Sequence, residues 1–142
     1  MRSPPLLSVV VGLALAGCSG LPRDPAGTSD RVAERGVIRL GDVEGAAPEP
    51  AAERALSRLA AATGARIERV PGHGEELLEG LQEGEYDLVY GRFADDSPWA
   101  EAVHLGRPLG DPVGASSSQR APRFAFRHGE NGWIAAVEEA AR

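Results

Sequence analysis

Glu75-Glu76-Leu77-Leu78-Glu79-Gly80-Leu81-Gln82-Glu83-Gly84-Glu85-Tyr86-Asp87-Leu88-Val89-Tyr90 reads as a helix followed at once by a strand. Leu77, Leu78 and Leu81 fall on one helical face, and Glu75 and Glu76 occupy the first turn, where the backbone dipole favours acids. Gly84 ends the helix. Leu88-Val89-Tyr90 is a short apolar run bounded by Asp87 and Gly91, a pattern that suits a strand buried on both faces. Antiparallel sheets with one wet face alternate instead.

The same grammar extends toward the N-terminus. Arg66 to Val70 is a strand, and Pro71-Gly72-His73-Gly74 is a turn. Before it, Ala52, Ala55, Leu56, Leu59 and Ala60 share one face of a helix that starts at Ala51 and stops at Gly64. Val37 to Leu40 is a first strand. Thr28, Ser29 or Asp30 can cap a short helix that runs to Arg35 and stops at Gly36. Strand, helix, strand, helix, strand with short links implies βαβ units and parallel strands with right-handed crossovers. Beyond Tyr90 the pattern loosens. Val103 to Leu105 is a short strand or an edge, Gly110 to Pro122 is a Gly/Ser/Pro-rich loop, and Arg123 to Arg127 alternates as a strand. Asn131 can cap a last helix with Ile134, Val137 and Ala141 on its apolar side.

At the other end, Leu6 to Ala16 is an apolar run of 11 residues after Arg2, too short for the roughly 20 residues that span a bilayer and suited to a signal sequence. Leu15-Ala16-Gly17-Cys18 resembles the lipobox of bacterial lipoproteins. The resemblance implies cleavage before Cys18, lipidation (diacylation, palmitate) of Cys18 and work outside the cytoplasm. Ser19 resembles the signal for release to the outer membrane rather than retention at the inner one. Residues 1–17 are then signal peptide, 18–33 a lipidated tether and 34–142 one lobe.

Composition narrows the function. The 142-residue chain has net charge −6, which argues against nucleic acid and against an electrostatic hold on anionic lipid. All 15 basic residues are Arg, so lysine Schiff-base chemistry is excluded. Cys18 is the only cysteine, which leaves no disulfide and no cysteine nucleophile. Ser116-Ser117-Ser118 lacks a nucleophile elbow. His73, His104 and His128 are isolated, without the spacing of a metal site. No catalytic set, metal or cofactor is expected.

Several segments together resemble bacterial extracellular solute-binding proteins of family 3, the amino-acid type. Glu34-Arg35-Gly36-Val37-Ile38-Arg39-Leu40-Gly41 is similar to the opening of their mature domain, and Leu59 to Ala65 to the end of their first helix. Leu77 to Val89, with its Tyr86-Asp87 pair, is the nearest match. Gly106-Arg107-Pro108-Leu109 stands where the family has a Ser-x-Pro-Tyr segment, and Phe124 to Ala141 resembles the closing strand and helix. The resemblance implies an α/β, three-layer single lobe with a mostly parallel sheet of about 4–5 strands, like domain 1 of a type II periplasmic binding protein. The second lobe of that architecture is missing. Three features also differ: no aromatic follows the first strand, Trp99 replaces the Arg of the family's Thr-Pro-x-Arg segment, and Leu109-Gly110 replaces the aromatic after Pro108. The implied function is that of an ABC-transporter-type substrate-binding lipoprotein.

In open parallel sheets ligands bind beyond the carboxyl ends of the strands. That rule selects Asp42, Gly91, Arg92, Phe93 and Trp99 as candidate ligand-binding residues. Arg92 either grips an anionic group bidentately or pairs with Asp95 or Asp96 to fasten its loop. Asp42 either binds a cation or amine or makes an Asx turn. Trp99 is a stacking platform, an interface residue or a lid. The expected partners are a small polar solute, the membrane through the lipid, and a transporter, sensor or envelope protein. An alternative is a structural or regulatory lipoprotein that docks a partner through Trp99, Trp133 and the Phe124/Phe126 strand. Enzyme chemistry would need an acid/base pair such as Asp42 with Glu75.

Overall fold

The computed structural model describes residues 23–112 and 119–142. Elements follow in the order α1 (Thr28–Arg35), β1 (Val37–Val43), α2 (Pro50–Thr63), β2 (Arg66–Gly72), α3 (Gly74–Glu83), β3 (Leu88–Ala94), a 3-10 turn (Pro98–Glu101), β4 (Val103–Leu105), β5 (Arg120–Arg127) and α4 (Asn131–Ala140). The sheet order is β2-β1-β3-β5-β4. β1 is parallel to both β2 and β3, so Leu40 stands between Arg69 and Leu88. β5 returns antiparallel to β3 and β4. The sheet is therefore mixed, with one strand reversed.

Helices cover both faces. On one side Val32 of α1, Leu56 and Leu59 of α2, and Trp133 and Val137 of α4 pack on Ile38, Leu40, Leu88, Tyr90, Phe124 and Phe126. On the other, Leu77, Leu78 and Leu81 of α3 pack on Val89, Phe93, Val103 and Ala125. Successive β3 residues thus enter opposite layers, the property the unbroken Leu88-Val89-Tyr90 run predicts. At about 25 cal/mol per Å² of buried apolar surface, these two clusters are the main source of stability in a chain without a disulfide.

Several boundaries differ from the sequence reading. β1, β2 and β3 run to Val43, Gly72 and Ala94. Pairing on both sides carries the ladder through Gly41, Asp42 and Val43, which have partners in β2. β5 begins at Arg120, earlier than its alternating core, because its first residues pair with Phe93 and Ala94. Asn131 is the first helical residue of α4 and makes no side-chain cap. Neither Ser29 nor Asp30 caps α1, which starts after Gly27 in the left-handed region, at φ 72°.

The true caps come from distant sequence. Asp24 accepts a hydrogen bond from the Trp133 amide at 2.8 Å, and the Arg23 carbonyl accepts one from Asn131 at 3.0 Å. In return the carboxylate of Glu130, 1% exposed, accepts from the amides of Ala26 at 2.7 Å and Thr28 at 2.8 Å. Each helix N-terminus is thus satisfied in part by the other's approach segment, and Asp24 also accepts from the Ser29 amide of its own helix at 3.3 Å. The packed body therefore reaches back to Arg23, ahead of the boundary at residue 34.

Beside these caps, Asp87 is 2% exposed. Arg35 donates to both of its oxygens at 2.8 Å, and the Arg39 amide donates to one of them at 2.8 Å. The Trp133 indole donates to the Asp87 carbonyl at 2.8 Å. The Arg35-Gly36 and Tyr86-Asp87 segments, separate in the sequence, are joined here in one buried polar contact.

Candidate functional site

The carboxyl ends of the strands leave a cleft of about 490 Å³. Its floor is Val43 at the end of β1 and Arg92, Phe93 and Ala94 at the end of β3. One wall is the start of α3, with Gly74 and Glu75, and the other is the Ser97-Pro98-Trp99 corner. Arg120, at the start of β5, closes a corner.

Each wall has a local cause. Gly74 begins α3, so the unpaired amides and positive end of that helix face the cleft. Ser97 caps the 3-10 turn by accepting from the Trp99 amide at 3.3 Å, and Pro98 pre-sets its first residue. This turn holds Trp99 half-buried against the α3-side cluster, with the rest of the ring in the wall.

Of the five candidate residues, the cleft gathers Arg92, Phe93 and Trp99. Nη1 of Arg92 is buried without a hydrogen-bond partner among the described residues. Pairing with Asp95 does not occur. Asp95 instead meets Arg123 at 2.7 Å, and Asp96 makes no ion pair with Arg92. Arg123 is 6% exposed and also donates to the Gly106 carbonyl at 3.3 Å. It is the fastener of the loop, a role hidden in the sequence because Arg123 looked like the outward end of an alternating strand.

Arg92 also acts on its strand neighbour. Burial pushes the Tyr90 phenol up from its ordinary pKa, Arg92 pulls it down, and Glu49 adds to the rise. The phenol donates to the Ala47 carbonyl at 2.9 Å.

Asp42 and Gly91 do not line the cleft. Asp42 accepts from Arg69 at 3.0 Å, and Arg69 also grips Glu53 of α2, so Asp42 belongs to the α2 side. Glu75 lies on the α3 side, so Asp42 and Glu75 do not share the cleft. Gly91 is buried, and a Cβ there would come 2.8 Å from both Val43 and the Phe93 ring. Its role is to let β1 and Phe93 pack closely. Glu75, Asp96 and Arg120 are the charged cleft residues absent from the candidate set. The docking surface built on Trp133, Phe124 and Phe126 is ruled out, because these are 1%, 3% and 0% exposed. Cys18 and Ser116 to Ser118 lie outside the described residues.

After β4 the chain stays against β5 as far as Leu109. Gly106 donates to the Phe124 carbonyl and Leu109 to the Pro122 carbonyl, both at 2.8 Å. Arg107 is paired with Glu138 of α4.

No protein-family model matches the chain, and no curated protein is significantly similar to it in sequence. Solved structures share its fold. The arginine-bound form of domain 1 of TmArgBP, from T. maritima, aligns with TM-score 0.66 at 15% identity, over 80% of this chain and 97% of that one. An ancestral cationic amino acid solute-binding protein, AncCDT-1, aligns with TM-score 0.67 at 13% identity, over 80% and 92%; it is also described as a precursor of cyclohexadienyl dehydratase. An amino acid ABC transporter substrate-binding protein of Streptococcus pneumoniae, bound to L-arginine, aligns with TM-score 0.65 at 9% identity, over 80% and 90%. The lobe has the fold of domain 1 of amino-acid-binding proteins, the type II periplasmic-binding-protein fold.

Proposed function

We propose that this chain is a lipid-anchored, extracytoplasmic solute-binding lipoprotein linked to transport or sensing. It holds a small polar solute weakly, or firmly once a partner covers the cleft. The observation that carries this reading is the cleft at the strand tips, which charged residues of both signs line together with Phe93 and Trp99. Arg92 and Arg120 stand in the same cleft as Glu75 and Asp96, which favours a solute carrying both signs of charge. Phe93 and Trp99 give its apolar part a surface. TmArgBP domain 1 in its arginine-bound form is a lone domain of this fold with a solute in place.

Enclosed sites bury roughly 70–90% of a ligand, and a shelf buries less, so millimolar binding is expected from the lobe alone. Ligand at about ten times its Kd adds about 1.4 kcal/mol of stability. A thermal-shift panel of amino acids, amines and organic acids at high concentration tests this. A rise of a few degrees with a zwitterion, absent in Arg92→Ala, supports the reading. No shift with any solute, with or without membranes from the source cell, would sink it.

The half-buried Trp99 also favours a second reading, a non-catalytic lipoprotein that docks an envelope protein. Capture of such a partner would survive Arg92→Ala and fail in Trp99→Ala.

A further inference from the structure

We infer that the lobe is held with its cleft pointing away from the membrane that anchors it, so that whatever covers the cleft approaches from the aqueous side. This rests on the reading that Cys18 carries lipid.

The argument begins with which way the strands run. β1 and β3 end at the cleft, with Val43 and Ala94. β5 runs the other way, from Arg120 beside Ala94 to Arg127 beyond Ala125 and Val89. α4 starts four residues later, at Asn131, so its N-terminus lies at the pole opposite the cleft. There the chain entering from the N-terminus is pinned. The Arg23 carbonyl accepts from Asn131, Asp24 accepts from Trp133, and the buried Glu130 grips the amides of Ala26 and Thr28. The pole is not a loose exit, because both helix starts depend on it.

Length then decides the orientation. Only Ser19, Gly20, Leu21 and Pro22 separate Cys18 from Arg23. Five Cα steps span at most about 17 Å. A body of this size has a radius of gyration of about 14 Å and a diameter of roughly 35 Å. The tether is shorter than the body, so the lobe can lean but cannot turn over. A partner face level with the anchoring bilayer would meet the caps and not the cleft.

Energy transfer to labelled lipid measures this directly. The full-length lipidated protein is reconstituted in phosphatidylcholine vesicles containing an acceptor-labelled lipid. A donor dye is placed on an added thiol, at Asp96→Cys in the cleft or at His128→Cys near the caps. Acylated Cys18 does not compete for the dye. Position 128 is expected to transfer several-fold more efficiently than position 96. Inserting about 20 Gly/Ser residues after Gly20 gives a chain long enough to turn over and is expected to raise transfer from position 96. Equal or greater transfer from position 96 with the native tether overturns the inference, as does a profile unchanged by the insertion. Failure of the anchor reading looks different: the mature protein carries no lipid by mass spectrometry, or Cys18→Ser binds vesicles as well as the native chain. The inference would fall with it.

Discussion

Trp133 and Trp99 mark two ends of one lobe that differ in how closed they are. Around Trp133, at the cap pole, the indole, both Asp87 oxygens, the Glu130 carboxylate and the first amides of α4 all have partners, while Nε of Arg31 and of Arg35 is buried without one among the described residues. Around Trp99, at the strand tips, the ring is partly exposed, Arg92 keeps a buried nitrogen unsatisfied, and charges of both signs face an open cleft. A closed network of charge-assisted hydrogen bonds holds a fold in place, and an open cleft with exposed charges leaves room for something else to bind. The difference assigns stability to one pole and recognition to the other.

The sharpest way to break this comparison is at Asp87. Asp87→Ala leaves Arg35 and the Arg39 amide without their acceptor, and removing one partner of such a pair costs about 3–5 kcal/mol. Urea unfolding should show the midpoint falling with little change in slope. A loss under about 1 kcal/mol would mean that the pole is not the stabilising one.

Glu130→Gln comes next. It keeps the shape but offers one acceptor oxygen where two are used, and about 1–2 kcal/mol should be lost. Because the amides of Ala26 and Thr28 are the affected groups, hydrogen exchange there should speed up first.

At the other pole the expected effect on stability is smaller and the effect on binding larger. Arg92→Leu removes an unsatisfied buried nitrogen, so stability should rise by about 1 kcal/mol. The ligand-induced thermal shift should disappear. If Arg92→Leu instead costs as much as Asp87→Ala, Arg92 is structural and the division between the poles fails.

Asp42→Asn should do least. Its contact with Arg69 is part of a partly exposed network, worth about 0.5 kcal/mol or less and screened by salt. Ligand binding should be unchanged, since Asp42 lies outside the cleft. Loss of binding here would put the site on the α2 side of β1.

Much of the architecture was legible because it depends on local periodicity. The leucines of α3, the alanine face of α2 and the Leu88-Val89-Tyr90 run each report burial from spacing alone. The cleft was legible in part. The strand-tip rule found Arg92, Phe93 and Trp99, but it also selected Asp42 and Gly91. A rule about chain position does not say which side of a strand a residue faces once the strand runs past its apparent end. The caps were misplaced for a related reason. Asn131 and Ser29 are good cap residues by type, yet Asp24 and Glu130 do the work from more than 100 residues away.

The order of helices and strands, the burial of β3 on both faces and the absence of lysine and disulfide chemistry were settled by the residues themselves, because each depends on neighbours in the chain or on composition. Which acid meets which arginine was settled only by folding. Asp87 with Arg35, Asp95 with Arg123 and Arg92 with no ion pair among the described residues are outcomes of long-range geometry, since an ion pair forms where packing brings charges together and local sequence carries no record of that distance.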